Sequence, residues 1–200
     1  MAVVTIPDRS LTIRNPRAAA EYLSLLGIRY ERWNGIDRTA PDAAADTTLT
    51  AWTLEIDGLK AEGGYAIADV IDVTPKTTGL EQMVGPCRRE HWHDEEEVRF
   101  ILRGHGTFHI HRKHQPVSAI EVEPGDLIRV PPGTLHWFDL CADRTLRAIR
   151  FFRNLDGATP HYTGSGIEAL FETVCLGPSA AQTAARLDSG DCGSWRRSAH

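Results

Sequence analysis

Residues 90–104 read EHWHDEEEVRFILRG, a run whose first eight positions hold two histidines, five carboxylates and Trp92 before the chain turns apolar. On an extended strand, side chains two residues apart point to the same face. His91 and His93 therefore share a face, and Glu97 lies on that face as well if the segment stays extended. These three side chains can converge on one point, as the ligands of a metal ion must.

A second stretch, GDLIRVPPGTLHWF at residues 125–138, supplies a fourth candidate ligand in His136. The tight turn Pro131-Pro132-Gly133 just before it fixes where the following strand begins. Together the two stretches have the pattern H-x-H-x3-E-x6-G followed by G-x5-P-x-G-x2-H. This pattern resembles the two-part signature of the cupin superfamily. The resemblance implies a mainly β fold, a double-stranded β-helix or jelly-roll barrel with a few peripheral α-helices.

The alternative for the first two histidines is a pair of exposed side chains in a solvated acidic loop. An isolated H-x-H pair favours that interpretation, but here a glutamate and a second stretch follow at the expected spacing. A rival cluster, FHIHRKH at residues 108–114, has no carboxylate at a workable distance and carries two cations that repel a metal ion. We therefore predict that His109, His111 and His114 are lumen-facing or surface side chains and not ligands.

The ligand set of three neutral imidazoles and one carboxylate leaves a divalent ion with a single positive charge. It suits iron(II), nickel or manganese. A six-coordinate ion keeps two open positions, room for a bidentate oxygen substrate or for one substrate atom and dioxygen, whereas the same ligands close a tetrahedral zinc site. Of the remaining carboxylates, Asp94 and Glu96 have the other parity and are predicted to face water.

Two arginines in apolar surroundings are candidate substrate-binding residues. Arg99 shares the parity of Glu97 and is predicted to face the barrel interior, where a cation needs an anionic partner. That partner is either an enolate or carboxylate substrate, or an internal salt bridge to Glu95 or Asp126. Arg150, in the otherwise apolar segment LRAIRFF, leaves the same two alternatives open.

The remaining sequence predicts two helices and several strands. NPRAAAEYLSLLG is typical of a helix capped by Asn15 and ended by Gly27. A second helix is predicted from Leu49 to Gly63, after a loop over residues 35–48. Short β-type segments separated by turns are typical of a barrel or a sandwich; they are IRYERW, YAIADVIDV, EVRFILRG, TFHIH, VSAIEV, DLIRVPPG, HWFDL and LRAIRFF.

The composition limits the class of function. The 200 residues carry a formal net charge of −5 and no block of lysine and arginine, so a nucleic-acid partner is not expected. The start lacks the layout of a signal peptide, and no apolar run reaches the length of a membrane span. The cysteines form no CxxC pair and are predicted to be reduced thiols; they are Cys87, Cys141, Cys175 and Cys192. We expect a cytoplasmic protein without a membrane partner, a monomer or small homo-oligomer acting on a small molecule.

The domain organisation is predicted to be simple. Residues 1–176 form a single cupin domain with an N-terminal elaboration of helices and strands, and the metal site lies in residues 86–152. Residues 177–200 are rich in Ala, Ser, Gly and Arg and are predicted to be a peripheral, poorly ordered extension.

A narrower resemblance covers roughly residues 16–172. Its pieces, in order, are YLSLLGIRYERW, YAIADVIDV, EHWHDEEEVRFILRGHGTFHIH, GDLIRVPPGTLHWFDL, LRAIRFFRNLDG and YTGSGIEALF, and they resemble the bacterial acireductone dioxygenases. These enzymes cleave an acireductone of methionine salvage with dioxygen as co-substrate. The resemblance implies that one iron(II) or nickel(II) ion per chain is bound by His91, His93, Glu97 and His136.

The family resemblance also implies roles for further residues. Arg99 and Arg150 stabilise the dianionic substrate, Phe138 walls the pocket, and Glu90 and Glu95 contact and orient the ligands, with Glu95 counted among the catalytic residues. In that family the iron form yields formate and the 2-keto acid precursor of methionine. The nickel form yields carbon monoxide, formate and a methylthio-substituted carboxylic acid.

The chain departs from the family just before the ligands, where the family has FLxEHTH. Cys87, Arg88 and Arg89 stand before Glu90, and Trp92 lies between the two histidines, where its parity points it away from the metal. Cys87 and Arg88 are predicted pocket residues, and Arg88 is placed to meet a substrate carboxylate. One alternative is therefore a divergent oxygenase acting on cysteine or a related thiol or amino acid in secondary metabolism. The other is a non-catalytic or isomerising cupin that binds a small ligand.

Overall fold

The fold is mainly β, as predicted, with two antiparallel sheets and four short α-helices among the residues described by the computed structural model, 1–154 and 156–176. The strands are β1 (Val3–Ile6), β2 (Leu11–Ile13), β3 (Arg29–Arg32), β4 (Ile67–Val73), β5 (His91–Trp92), β6 (Glu97–Gly104), β7 (Gly106–His111), β8 (Ser118–Val122), β9 (Asp126–Val130), β10 (Leu135–Leu140), β11 (Leu146–Phe152) and β12 (His161–Tyr162). The helices are α1 (Pro16–Leu25), α2 (Ala45–Ala51), α3 (Thr53–Gly63) and α4 (Leu80–Val84).

The strand order places His91 and His136 in one sheet and Glu97 in the other. One sheet has the order β12-β5-β10-β7-β8-β1-β2, and the other has the order β3-β9-β6-β11-β4. Apolar side chains from both sheets form one core between them, including Ile110 and Ile120 from the first and Ile128 and Ala148 from the second. The two-sheet arrangement confirms the predicted barrel architecture.

Strand β6 has strict alternation over the part that carries the candidate ligand. Val98 and Phe100 point outward, where they pack beneath the helices with Trp52 of the α2–α3 junction. Glu97 and Arg99 point inward and line the cavity between the sheets. A register shift opposite Arg147/Ala148 ends this alternation near the end of the strand.

The helices confirm one sequence prediction and modify the other. The side chain of Asn15 accepts a hydrogen bond from the amide of Ala18, and Gly27 has a φ of +75°, as predicted for the cap and the end of α1. The single helix predicted over residues 49–63 is instead two helices that meet at the fully buried Trp52. The first of them begins at Ala45, inside the predicted loop.

The C-terminal part of the described chain returns to the first sheet. Strand β12 pairs with β5, and Leu176 donates its amide to Glu121 at 2.6 Å. A disulfide joins Cys141 to Cys175, so the prediction that these two cysteines are free thiols is wrong. The predicted extension over residues 177–200, with Cys192, lies outside the described residues, and the domain limit at residue 176 stays a prediction.

None of the helices in the described part of the chain combines the length and apolar character needed to cross a membrane. The cytoplasmic location and the monomeric or small homo-oligomeric state stay predictions. The side chains that bear on function lie between the two sheets.

Candidate metal centre

The four predicted ligands converge between the sheets. One ligand atom each from His91, His93, Glu97 and His136 can be chosen so that all four atoms lie within 4.8 Å of one another. His91 of β5 is paired directly with His136 of β10, and Glu97 enters from β6 of the facing sheet. A backbone hydrogen bond holds the turn before His136 against the segment that carries His93, because the amide of Gly133 donates to the carbonyl of His93 at 2.9 Å.

The backbone holds all three histidines in the same tautomer. Each Nδ1 lies within hydrogen-bonding distance of a backbone carbonyl, which is an acceptor only, so each Nδ1 carries the proton. The contacts are His91 to Arg89 at 2.6 Å, His93 to Thr159 at 3.2 Å and His136 to Thr134 at 2.8 Å. The Nε2 lone pairs are therefore free to face a metal ion, the arrangement in which a hydrogen bond at one ring nitrogen orients the other.

The ionisation states of the cluster also suit metal binding. Burial lowers the pKa of His91 to about 4 and lowers that of His93, so both rings are neutral near pH 7. Burial acts to raise the pKa of Glu97, but the cation of Arg99 and the contact with His136 bring it well below its usual value. A carboxylate and neutral imidazoles fit a divalent ion of the first transition row.

Glu97 divides its two oxygens between the cluster and Arg99. Oε2 lies 2.7 Å from Nε2 of His136 and 3.7 Å from Nε2 of His93. Oε1 lies 2.8 Å from Nη2 of Arg99. The internal partner of Arg99 is therefore Glu97, and the predicted alternatives are wrong: Glu95 binds Asn154, and Asp126 binds Tyr30 and Arg32.

Arg150 is held by a residue that the sequence did not single out. Asp69 of β4 accepts two hydrogen bonds from it, at 2.8 Å to Nε and 2.6 Å to Nη2. Arg150 also stands directly opposite Arg99 across the β6–β11 ladder, and the ring of Phe152 lies within 5.7 Å of both guanidinium carbons. The sequence shows Asp69 as an acidic residue in the strand segment YAIADVIDV. Its partner follows from the register of β4 against β11, which the sequence alone does not give.

A cavity of about 350 Å³ opens from the ligand cluster. Its polar end is formed by the four ligands with Arg99 and Arg150, and the predicted pocket residues Phe138 and Cys87 lie in its wall. The remaining wall is apolar except for the Tyr162 hydroxyl, and it consists of Ile71, Val73, Met83, Val84, Pro86, Ile101, Phe108, Leu140, Leu146, Phe152, Pro160 and Tyr162.

Arg88 is placed differently from its prediction. Its guanidinium contacts Glu81 at 3.0 Å and Asp139 at 3.4 Å, and Arg88 is absent from the cavity wall in the described structure. Two carboxylates thus satisfy the cation that was expected to meet a substrate carboxylate. The predicted pocket role of Arg88 is not supported by this geometry.

Glu90 and Glu95 do not contact the ligand side chains in the way expected. Glu90 is 2% exposed and accepts hydrogen bonds from His111, Thr163 and Ser165, so it ties the C-terminal segment to the first sheet. Glu95 accepts from Asn154 at 2.6 Å, with its side chain packed against Gly157. Both residues act on the segments that carry the ligands and not on the ligand rings.

Asp94 and Glu96 were both predicted to face water, and the structure agrees for only one of them. Asp94 is exposed and lies 2.7 Å from His161, as predicted for a residue that faces water. Glu96 is only 12% exposed and pairs with Arg129 at 3.0 Å, so the prediction that it faces water is wrong. Trp92 stacks on His161 with ring centroids 4.2 Å apart, consistent with its predicted orientation away from the metal.

The rival histidines do not take part in the cluster. Phe108 and Ile110 are the residues of β7 that enter the core, so the lumen-facing alternative for His109 and His111 is wrong. His109 is 1% exposed and stacks on Trp137 at 4.8 Å, so it is not a surface side chain either, and His111 binds Glu90. The other group of potential ligands in the described structure, Glu121 with Cys141 and Cys175, has its two sulfurs joined in the disulfide.

Comparison with known proteins agrees with this geometry. The chain matches the ARD/ARD′ family over residues 8–160. It is 40% identical over 149 residues to the acireductone dioxygenase of Xylella fastidiosa (strain M12), covering 74% of this chain and 79% of the relative. It is 38% identical over 172 residues to that of Methylococcus capsulatus, covering 84% and 92% of the two chains. A solved acireductone dioxygenase from Bacillus anthracis, with a cadmium ion in its active centre, superposes with a TM-score of 0.77 at 35% identity, covering 81% of this chain and 98% of that one.

Proposed function

The chain belongs to the ARD/ARD′ family, and we propose on that basis that it is a metal-dependent acireductone dioxygenase. One observation supports the proposal most strongly: the four side chains converge while every histidine presents Nε2 to the same point. A surface pair of histidines in an acidic loop has no reason to show this common tautomer. A binding-only cupin is less well supported, because the cluster adjoins two arginines at the end of a cavity.

We propose iron(II) or nickel(II) as the bound ion, one per chain, held by His91, His93, Glu97 and His136. Imidazole nitrogen and carboxylate oxygen suit either ion. When bound, the ion supplies Lewis acidity that orients and polarises two adjacent substrate oxygens for reaction with dioxygen. The cadmium ion in the Bacillus anthracis relative is a divalent ion in the active centre of that protein, which supports a divalent ion here.

The two arginines are proposed to bind the negative charge of the substrate. Arg99 reaches the cavity from β6 and Arg150 from β11, directly opposite each other. Two like charges in that position repel each other unless anions lie nearby. Glu97 and Asp69 supply one anion to each arginine, and an ionised acireductone in the polar end of the cavity adds negative charge facing both.

The apolar wall is proposed to keep water away from the reacting carbons. Phe138 packs against Phe108 with ring centroids 4.7 Å apart, and both rings line the cavity. Excluding water strengthens the interaction between the arginines and the substrate, because the effective dielectric constant falls. The wall also limits hydrolytic side reactions of an oxidised substrate.

An acireductone is favoured over cysteine as the substrate. The cysteine alternative depended on a cation near the mouth that meets the amino-acid carboxylate, and Arg88 was the candidate. Arg88 is engaged by Glu81 and Asp139. The two arginines that do line the cavity lie beside the ligand cluster, where they suit the negative charge of an enediolate substrate.

The test is product analysis under ¹⁸O₂ with iron-loaded and nickel-loaded protein. Cleavage of an acireductone by the iron form forms two carbon–oxygen bonds and breaks one carbon–carbon bond, so one labelled atom is expected in formate and one in the 2-keto acid. Free cysteine in the same assay is expected to give no labelled sulfinate. Label in cysteine sulfinate, with none in formate, would overturn the proposal.

A further inference from the structure

The cavity has two ends of different chemistry, and the proposed reaction uses only one of them. The ligand cluster, Arg99 and Arg150 form the polar end. Ile71 and Val73 of β4 and Leu146 of β11 line the apolar part of the wall, further along the same strand pair from Asp69 and Arg150. A substrate head that carries two adjacent oxygens occupies the polar end, which leaves the apolar part for the tail.

The cavity has room for a small organic ligand beside the ligand cluster. Its 350 Å³ corresponds to roughly twelve water molecules at about 30 Å³ each. This lies at the lower end of the range for pockets that enclose drug-sized ligands, about 300–1,000 Å³. Wherever a short tail leaves apolar volume unfilled, contacts are lost on both sides, so a longer tail that enters that volume gains them.

The wall chemistry excludes a charged tail. Among the described residues, the side chains that line the cavity beyond its polar end are apolar, apart from the thiol of Cys87 and the hydroxyl of Tyr162. A charged group placed there would have no ionic partner and would lose its hydration. Each additional buried methylene, in contrast, is expected to raise affinity about fourfold.

The mouth of the cavity is formed by α4 and the short 3-10 turn that follows it. Met83 is 46% exposed and also lines the cavity, so the wall reaches solvent at this point. Cys87 lies one turn further on and presents a small side chain to the cavity. The segment is anchored from outside, because Glu81 binds both Arg88 and Arg144.

We propose that Met83 and Cys87 determine tail specificity, and that the enzyme prefers acireductones whose uncharged apolar tail is a few methylene groups longer than a methylthio-bearing one. This inference rests on the proposed function. The small side chain of Cys87 and the unbranched side chain of Met83 leave the outer end of the apolar part open for the added atoms.

The experiment is a tail-length series assayed by oxygen consumption with the iron-loaded protein. The acireductones differ only in the group on sulfur: methyl, propyl, butyl and hexyl. For the wild type, kcat/KM is expected to rise about fourfold per methylene until the cavity is filled. A steady fall in kcat/KM from the methyl compound onward would overturn the inference while leaving the proposed function intact. No turnover with any tail would overturn both.

Variants at the mouth connect the preference to these residues. Cys87→Phe and Met83→Phe each fill part of the outer end, so the ratio of kcat/KM for the butyl and methyl compounds is expected to fall at least tenfold. The control is Leu54→Phe on the exposed surface of α3, which should keep the wild-type ratio. If one mouth variant does not fold, the other carries the test. An unchanged ratio in a folded mouth variant would contradict the assignment.

Discussion

Arg99 and Glu97 form an ion pair on the inner face of one strand, with Nη2 of the arginine 2.8 Å from Oε1 of the glutamate. The other carboxylate oxygen faces His136 and the ligand cluster. One oxygen of Glu97 is thus committed to a cation of the protein, and the other is available to a metal. The pair couples the orientation of a metal ligand to the residue proposed to bind the substrate.

Replacement of Arg99 is therefore expected to affect both metal and turnover. In Arg99→Ala, Glu97 loses the partner of Oε1, and metal affinity should fall about 10- to 100-fold, as is typical when the partner of a ligand is removed. At saturating iron(II), kcat/KM should still be at least 100-fold below wild type, because the substrate charge has lost one arginine. Metal titration and oxygen consumption measure the two effects. Full activity at saturating metal would leave Arg99 with a structural role only.

Asp69 is expected to be a positioning residue for Arg150. Asp69→Asn removes the charge that holds the guanidinium by two hydrogen bonds, so kcat/KM should fall about tenfold or more with metal content unchanged. Asp72→Asn is the matched control on the same strand, because Asp72 binds Arg103 and Arg147 on the outer side. Equal loss of activity in the two variants would show that the effect is general destabilisation of β4.

Stability below neutral pH is expected to depend on His109. Burial lowers the pKa of this histidine to about 4, whereas in an unfolded chain it is about 6.5. Between these values the unfolded state binds more protons, so stability is complete above pH 6.5 and is lost as the pH falls. The loss at pH 5 amounts to about 2 kcal/mol.

Denaturant unfolding at pH 7 and pH 5 measures this dependence. His109→Phe, which can keep the stacking on Trp137, should reduce the difference in unfolding free energy between the two pH values. The control His114→Asn, in an exposed turn with a φ of +64°, should show the wild-type difference. An undiminished difference in the His109 variant would mean that other groups cause the acid sensitivity.

The Cys141–Cys175 disulfide is expected to stabilise the C-terminal segment. It closes a separation of 34 residues, and a loop of that size is expected to contribute about 2–4 kcal/mol. Cys175→Ser should lower the unfolding free energy by that amount in the absence of reductant and have little effect in its presence. Mass spectrometry of peptides prepared without reductant should find the two cysteines linked. Recovery of both as free thiols from air-exposed protein would contradict the pairing.

Motif spacing and turn chemistry were sufficient to predict the barrel strands and the four side chains that converge between the sheets. His91, His93 and Glu97 lie close together in sequence, but the segment does not stay extended as the parity argument assumed, because His91 lies on β5 and Glu97 begins β6 of the other sheet. The Pro-Pro-Gly turn before His136 precedes the start of β10. These features are determined within a few residues along the chain, so they can be read before the fold is known.

The features that the sequence did not predict depend on contacts between distant segments. Glu96 is buried because Arg129 comes from a neighbouring strand, and Asp69 meets Arg150 across a ladder that joins residues far apart in the sequence. The pairing of Cys141 with Cys175 has the same origin, because connectivity cannot be deduced from cysteine positions alone. The alternation of side chains along a strand indicates which face of the sheet a residue occupies. It does not indicate which side chains from other segments cover that face.

The proposed metal ligation can be tested by elemental analysis. Glu97→Gln keeps the size of the side chain but removes its charge, so it should lose most bound iron or nickel. Glu96→Gln is the control, because Glu96 lies next to it in sequence and binds Arg129 on the other face. Equal metal content in the wild type and the Glu97 variant would make the ligand assignment wrong.

The most direct test of the account is oxygen consumption on addition of an acireductone to metal-stripped protein that has received one equivalent of iron(II). After subtraction of the spontaneous rate, the wild type should consume one dioxygen per acireductone, and the Glu97→Gln variant treated in the same way should stay at the spontaneous rate. Consumption at the spontaneous rate by the iron-loaded wild type, with the metal shown to be bound, would contradict the assignment of this protein as an acireductone dioxygenase.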